Sequence, residues 1–391
     1  MKVLILAPAF HPTTGGAETY AKVVAVGLRE RGHDVVVVTD GRRGSLPRND
    51  TVGGVAVHRL SRYWELLADE AKLTWEQMSF SLLPELEELV AQVGVPDVVV
   101  VNSHEAAITG TMLAAQWPGT AVVATYHQQD RERGPVGVGR SRLVYGILPL
   151  DGILVGSEFY RNKAHRFGAP PERVHHVPHG VNTELFSGEP RRRAGRGLRL
   201  LLAGRIAPRK QQLFMVDVLA RLRQTGVDAE LTLVGEVHSS SWEYADAVKQ
   251  RVLDSHVSEH VRFVSDVKHE QMRDMYAEAD LVVQPSTEEG LGLAVLEAMA
   301  CGVPVIVSDT VGLEEIVTSD EVGVRVPVGD EAEWTQQIRA LDEDEERRLR
   351  MAMAGQELVR RAFNERTMLD STVEVLSRVL AAGRSAETVR S

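Results

Sequence analysis

The chain of 391 residues contains a single cysteine, Cys301. One thiol excludes an intramolecular disulfide and a cysteine-based zinc cluster, and it fits a reducing compartment. Long apolar runs are missing as well, and none approaches the ~18 residues that a bilayer span requires. No integral membrane segment is therefore expected. The opening MKVLILAPAF has one lysine before a short apolar run, and Pro8 follows at once. It reads as a first β-strand and not as a signal peptide, so a cytoplasmic location is expected. Excess positive charge is also absent. A net charge of -11 presents a repulsive average field to a polyanion, which disfavours nucleic acid as the main partner. There is no internal repeat, no low-complexity segment and no GxGxxG fingerprint of a dinucleotide site.

What is present is alternation. VLILA at 3–7, VVVVT at 35–39, DVVVV at 97–101, AVVAT at 121–125 and GILVG at 152–156 are short and bounded by polar residues or glycine. Such runs read as buried parallel strands. Helix-like stretches separate them, so the pattern predicts a doubly wound α/β domain. A second series, LRLLLAG, ELTLVG, VRFVS, LVVQPS and VPVIVS, follows the stretch GEPRRRAGRG at 188–197. That stretch reads as a solvated linker and places a boundary near residue 190, with a Rossmann-like domain on either side.

Two domains of this kind leave a cleft at the carboxyl ends of their strands, where chemistry gathers. The segment QPSTEEGLGLAVLEAMACGVPVI, residues 284–306, carries Glu289 and Glu297 around a turn of Gly290, Leu291, Gly292 and Leu293 that feeds a helix. Backbone N–H groups at such a helix start can face a phosphate. An ordinary strand, turn and buried helix is the plainer alternative. Against it stands Glu297, set among Ala294, Val295, Leu296, Ala298, Met299 and Ala300, where a carboxylate needs a partner or a ligand hydroxyl. The loop GRIAPRKQQ after LRLLLAG offers Arg205 and Lys210, a fork and a point charge suited to a diphosphate. Gly15 and Gly16 precede a helix after the first strand, and a turn there can let amides approach a phosphate. His127 follows AVVAT, where it can orient a substrate hydroxyl or remain a structural histidine. His104 and Glu105 have the same placement after DVVVVNS. A zinc site at His175, His176 and His179 is disfavoured, because His175 and His176 would point to opposite sides of an extended strand. The acidic run Asp342, Glu343 and Asp344 reads as a solvated helix start, not a metal motif.

Taken together, these residues resemble the family 4 glycosyltransferases of the GT-B fold over nearly the whole chain. The resemblance rests on GGAE at 15–18, YH at 126–127, SE at 157–158, PHGVN at 178–182, GRIAPRK at 204–210, PS at 285–286 and EEGLGLAVLEAMACGVPVI at 288–306. It implies an α/β chain of two Rossmann-like domains whose parallel sheets face across a cleft. Residues 1–188 would form the acceptor-binding domain, with the C-terminal helix at about 366–391 packed back onto it, and residues 189–365 the nucleotide-sugar-binding domain. The catalytic set carried over is His127, Arg205, Lys210 and Glu289. Gly16, Arg205, Lys210, Val264, Glu289, Gly290, Leu291, Gly292, Leu293 and Glu297 would bind the donor. Glu297 would take the ribose, Glu289 and the glycine turn the sugar, and residues near Val264 the base.

The chain departs from the family pattern at Gln128, where an acidic residue is frequent, and at His179, Asn182 and Leu291. None of these removes a charge that a diphosphate needs. The implied activity is retaining transfer of a hexosyl or N-acetylhexosaminyl group from a nucleotide sugar, UDP-linked by preference, with no metal and no cofactor. The expected partners are that donor and a small-molecule or glycan acceptor; a homodimer is compatible with this reading. His104, Glu105 and Arg131 are the candidate acceptor contacts. The acidic residues Glu65, Asp69, Glu70 and Glu76 around Trp64 and Trp75 argue against anionic lipid, so a soluble cyclitol, aminocyclitol or natural-product sugar is preferred. A lipid or polysaccharide acceptor, a nucleotide-sugar 2-epimerase and a non-catalytic binding protein are the alternatives.

Overall fold

The computed structural model describes residues 1–13, 15–41, 45–60, 74–127, 134–192, 195, 197–237 and 241–390. They fall into two units, Met1–Pro178 with Arg366–Ser391, and His179–Glu365.

Among the described residues the first unit holds eight strands: β1 (Lys2–Leu6), β2 (Asp34–Asp40), β3 (Asn49–Val52), β4 (Val55–Leu60), β5 (Val98–Val101), β6 (Ala121–Thr125), β7 (Gly152–Val155) and β8 (Val174–His176). Their order is β3-β4-β2-β1-β5-β6-β7-β8. The valine-rich β1, β2, β5 and β6 are buried on both faces, which is why they read as unbroken apolar runs. All neighbours pair in parallel except β3 and β4, an antiparallel hairpin at the edge. β3 is exposed except at Val52, and β4 alternates buried with exposed or half-buried residues over 55–58; that half-solvated pattern hid the hairpin among the polar residues of the sequence.

The helix beginning at Glu365 closes this unit. Met368, Leu369, Val375, Leu376, Val379 and Leu380 share a buried cluster with β1, β2 and the helix Gly16–Glu30. Contact is so close at Gly27 that a Cβ there would lie 2.4 Å from Leu369 Cδ1. Arg31 Nη2 donates to Asp370 at 2.6 Å on the rim.

The second unit has β9 (Leu198–Ala203), β10 (Ala229–Val234), β11 (Val261–Val264), β12 (Leu281–Gln284), β13 (Val305–Ser308) and β14 (Val324–Val326). Their order is β11-β10-β9-β12-β13-β14, every pair parallel. Residues 179–188, which the sequence reading placed in the first domain, belong to this unit. Val181 N–H donates to Phe363 O at 2.8 Å, and Phe186 is buried beside Tyr276. The arginine run that marked the boundary lies beyond this anchored stretch.

One device recurs at the amino ends of both sheets. Asp97 accepts from Lys2 N–H at 2.7 Å, Asp151 from Val122 N–H at 2.8 Å and Asp280 from Arg199 N–H at 2.9 Å. Each aspartate precedes its own strand and satisfies an amide at the start of the neighbouring one, where the ladder would leave it unpaired. These ends are closed by structural bonds. The opposite, carboxyl ends carry the loops that matter for function. In each sheet the strand order reverses once, between β1 and β5 and between β9 and β12, and ligand sites of doubly wound sheets gather at such points.

Candidate active site

At the reversal point of the second unit, the loop after β9 meets the loop after β12. Thr287 N–H donates to Arg209 O at 2.9 Å, joining them. A turn of 3-10 helix, Pro208–Lys210, directs the Lys210 side chain inward, and Gln211 follows in a left-handed conformation. Gln212 is fully buried and braces the loop, with Nε2 donating to Arg205 O at 3.0 Å. The sequence reading passed over it. A glutamine gains meaning there only once its neighbours are known.

Lys210 Nζ lies 2.5 Å from Glu289 Oε1, and both side chains are buried. The same carboxylate accepts from Ser286 Oγ at 2.7 Å and Gln284 Nε2 at 3.1 Å. Arg209 Nη1 approaches its other oxygen at 3.4 Å and also donates to Glu288 O at 3.2 Å. Arg209, not singled out in the sequence, is thus part of the cluster. Burial pushes the Glu289 carboxyl up, but the charges of Lys210 and Arg209 and the bonds from Lys210 and Ser286 more than offset it, leaving it below the usual range. Burial likewise lowers the Lys210 ammonium, against the pull of Glu289.

Lys210 also sits against the backbone of Gly204, since a Cβ there would fall 3.1 Å from Nζ. Glycine is needed for that approach. Arg205, the next residue, is exposed, and among the described residues no carboxylate pairs with it.

The glycine turn feeds the helix Leu293–Ala300 through Gly292, at φ 83. A Cβ on Gly292 would also lie 2.6 Å from Leu313 Cδ2, so both conformation and space demand glycine there. Leu291 has its side chain in the core, which leaves only its backbone for a ligand. Glu297 is already satisfied within the protein, accepting from Tyr276 OH at 2.8 Å and facing His269 Nε2 at 2.9 Å. This answers the question its apolar setting raised. His269 was not singled out in the sequence, because 28 residues separate it from Glu297. Val264 ends β11, and its carbonyl accepts from Gly235 N–H at 3.0 Å.

The bond to Glu297 raises the His269 imidazole above its ordinary value, while burial opposes the shift. A raised histidine stabilises the fold below its unfolded value near pH 6.5 and ceases to as pH climbs through the folded one. We expect a thermal midpoint about 1 °C lower at pH 8.5 than at pH 6, small because the ring is partly exposed. His269→Gln should flatten that difference in a thermal-shift series. An unchanged slope would mean that this pair does not set it.

The first unit gathers a second cluster where its own sheet reverses. His127, just past β6, has Nε2 at 3.0 Å from Asn102 Oδ1 and 3.1 Å from Thr125 Oγ1. Tyr160 OH donates to its carbonyl at 2.7 Å, and the Tyr20 ring lies 4.2 Å away. Asn102 Nδ2 in turn donates to Ala17 O at 3.1 Å, at the start of the helix that Gly16 opens. Gly16 itself is exposed; beside it, the Glu18 carboxylate crowds the space over Gly15, reaching 2.2 Å from where a Cβ would stand.

The expectation for His104 needs correction. It is fully buried, with its ring 4.3 Å from Tyr126 and its Nε2 3.3 Å from Tyr145 OH. An aromatic cluster encloses it, so it cannot touch an acceptor. Glu105, in the first turn of the same helix, is half-buried. Arg131, with Trp64 and Gln128, lies outside the described residues.

Residues 190–358 match the sequence model of the group 1 glycosyl transferases, and residues 14–185 match that of glycosyltransferase family 4. The chain therefore belongs to the GT-B glycosyltransferases, and the chemistry of its class is transfer from a sugar donor. Among curated relatives it is similar to a D-inositol 3-phosphate glycosyltransferase of Pseudarthrobacter chlorophenolicus, at 28% identity over 87% of this chain and 85% of the relative. It is 26% identical to a GDP-mannose-dependent alpha-(1-6)-phosphatidylinositol monomannoside mannosyltransferase of Mycolicibacterium smegmatis, over 96% and 98% of the two chains. In fold it resembles Anabaena HepE, solved in complex with UDP and glucose, with a TM-score of 0.75 at 20% identity over 96% and 99%. Among the described residues no helix is long and apolar enough to cross a membrane.

Proposed function

We propose that the protein is a retaining, metal-independent glycosyltransferase that moves a hexosyl or N-acetylhexosaminyl group from a UDP-sugar to a hydroxyl of a small acceptor containing a cyclitol. The observation that carries this reading is the cationic cluster of Arg209 and Lys210 around Glu289, with the exposed Arg205 on the same loop as those two cations; in the chain, Glu289 stands four residues before the start of the helix Leu293–Ala300. Arg205, Lys210 and the first amides of that helix would hold the diphosphate and receive the charge that grows on it as it leaves. Glu289, kept ionised by its neighbours, would accept from donor-sugar hydroxyls. Glu297 has a remaining lone pair on each oxygen for ribose hydroxyls. Val264, Gly290 and the backbone at Leu291 would line the rest of the donor, and His127 would bind a sugar hydroxyl in the first unit.

The anomeric carbon loses its bond to the diphosphate oxygen and gains one to the acceptor oxygen on the same face. The acceptor's proton passes to the departing diphosphate, so no carboxylate nucleophile is needed. The inositol acceptors in the names of two relatives support a cyclitol. The second of them also keeps open GDP-mannose and an inositol lipid.

The test is a mass-spectrometric screen of UDP- and GDP-sugars against inositol, inositol phosphates, aminocyclitols and phosphatidylinositol, with NMR of the product linkage. A UDP-sugar and a soluble cyclitol should give one product with retained configuration, and EDTA should not change the rate. An epimerised donor formed without acceptor would replace this reading with a 2-epimerase. Donor binding with no turnover on any acceptor would leave a binding protein.

A further inference from the structure

We propose that His269 and Tyr276 are positioning residues for the ribose of the donor. They lock the plane of the Glu297 carboxylate, so that its two oxygens together read the adjacent 2′- and 3′-hydroxyls and disfavour a nucleotide that lacks them. The inference deepens the nucleotide-sugar reading above and rests on its placement of Glu297.

Glu297 lies in the helix Leu293–Ala300, whose other residues are all apolar. Stability gives no reason for a carboxylate there. Its side chain is 12% exposed and its histidine partner 37%, and a pair so open to water adds little, whereas a well-packed apolar side chain in such a place is often neutral or stabilising. A ligand supplies the reason. The residue stands one turn past Leu293, about 6 Å along the helix axis, which is about the offset between the 5′ phosphate of a nucleotide and its ribose hydroxyls.

The carboxylate is gripped once on each oxygen. His269 Nε2 lies 2.9 Å from Oε1, and Tyr276 OH donates to Oε2 at 2.8 Å. A carboxylate only accepts, so His269 Nε2 carries a proton whether the ring is neutral or charged. Burial and the charge of Glu297 push the Tyr276 phenol well above its ordinary value, which keeps it a donor. One bond alone would leave the carboxylate free to turn about its last carbon–carbon bond, whereas a bond on each oxygen fixes the plane. Each oxygen keeps a lone pair. Two acceptors side by side match two adjacent hydroxyls.

Both donors belong to one continuous piece of chain. His269 opens the 3-10 turn His269–Gln271, which runs straight into the helix Met272–Glu278 that bears Tyr276. Lys268 N–H donates to Gln271 Oε1 at 3.0 Å and Gln271 N–H to Lys268 O at 2.9 Å, closing that turn. Phe186, 1% exposed, stands edge-on to both rings, with centroids 5.0 Å from His269 and 6.1 Å from Tyr276. Neither ring can swing away without breaking this packing. The same piece follows the end of β11, so the stretch next to Val264 and the carboxylate for the ribose are held together.

The experiment is calorimetric titration of the whole chain with UDP and with 2′,3′-dideoxy-UDP, and with the GDP pair in the same way. The wild type should bind the ribose form about tenfold or more tighter than its dideoxy counterpart. His269→Ala and Tyr276→Phe should each weaken the ribose form about fivefold and leave the dideoxy form within about twofold. His269→Gln keeps a donor of similar reach and should recover most of the loss. In Glu297→Ala the two forms should bind alike, and adding His269→Ala should change neither. Tyr276→Phe keeps the buried ring and carries the test if His269→Ala fails to fold. Equal weakening of both forms by His269→Ala, or full additivity with Glu297→Ala, would overturn the proposal. A wild type that binds both forms alike would remove Glu297 from the ribose and the proposal with it, and no binding of UDP or GDP would overturn the donor reading as well. The stated pattern in a protein that transfers no sugar would refute the catalytic reading alone.

Discussion

Arg205→Ala is expected to slow glycosyl transfer by about 100-fold or more while leaving thermal stability near that of the wild type. The size follows from removing one preorganised donor from a site where negative charge develops, which costs ~2.7–4 kcal/mol in comparable cases. The unchanged stability follows from the exposed guanidinium, for which no carboxylate partner exists among the described residues. Nothing buried loses a bond when it goes, so the change should stay within ~0.5 kcal/mol. Arg205→Lys keeps the charge but not the fork, and intermediate loss is expected. Steady-state release of UDP, together with a thermal melt of the same preparation, checks both halves. Near-wild-type turnover in Arg205→Ala would show that the diphosphate is held elsewhere.

The sequence revealed the parts of this protein that depend on repetition. Strands buried on both faces announce themselves as apolar runs, and the half-exposed β10 and β11 still carry enough apolar residues to be read, so ten of the fourteen strands among the described residues were legible. The edge hairpin β3-β4 and the short β8 and β14 carry mixed or half-solvated residues, so no apolar run marks them. Among site residues, Arg205, Lys210 and Glu289 were visible because motif spacing placed them on loops after strands. What spacing could not show was that Lys210 and Glu289 bond to each other across 79 residues. Nor could it show that Glu297 is held by Tyr276 and His269, or that Asn102 holds His127. The first and last of these join loops at the ends of different strands and the Glu297 bonds join neighbouring helical segments, so strand order and helix packing, not sequence distance, decide them. His104 misled for the complementary reason. Its position after a strand suggested a site, but the first turn of its helix points it into the aromatic core.

The Lys210–Glu289 pair turns a single functional expectation into two separable ones. Lys210→Met leaves the Glu289 carboxylate buried with its closest cation gone, and breaking such a pair costs ~3–5 kcal/mol. Arg209 at 3.4 Å and the bonds from Ser286 and Gln284 soften that loss, so about 3 kcal/mol is expected by denaturant titration. Turnover should fall as it does for Arg205→Ala, but here the fold weakens too. Glu289→Gln removes the charge that makes a bare carboxylate costly. The double variant should therefore regain at least half of the stability lost in Lys210→Met while staying inactive. Acid should act in the same direction as Lys210→Met. A carboxyl held low stabilises the fold above its unfolded value, near 4.5, and loses that contribution as pH falls through the folded one. If the two substitutions instead add without coupling, the pair contributes nothing as a pair, and the stability of this loop arises from Gln212 and the backbone bond between Thr287 and Arg209. If the double variant regains both stability and turnover, neither charge serves the diphosphate or the sugar, and Arg205 and Arg209 alone remain to carry the donor.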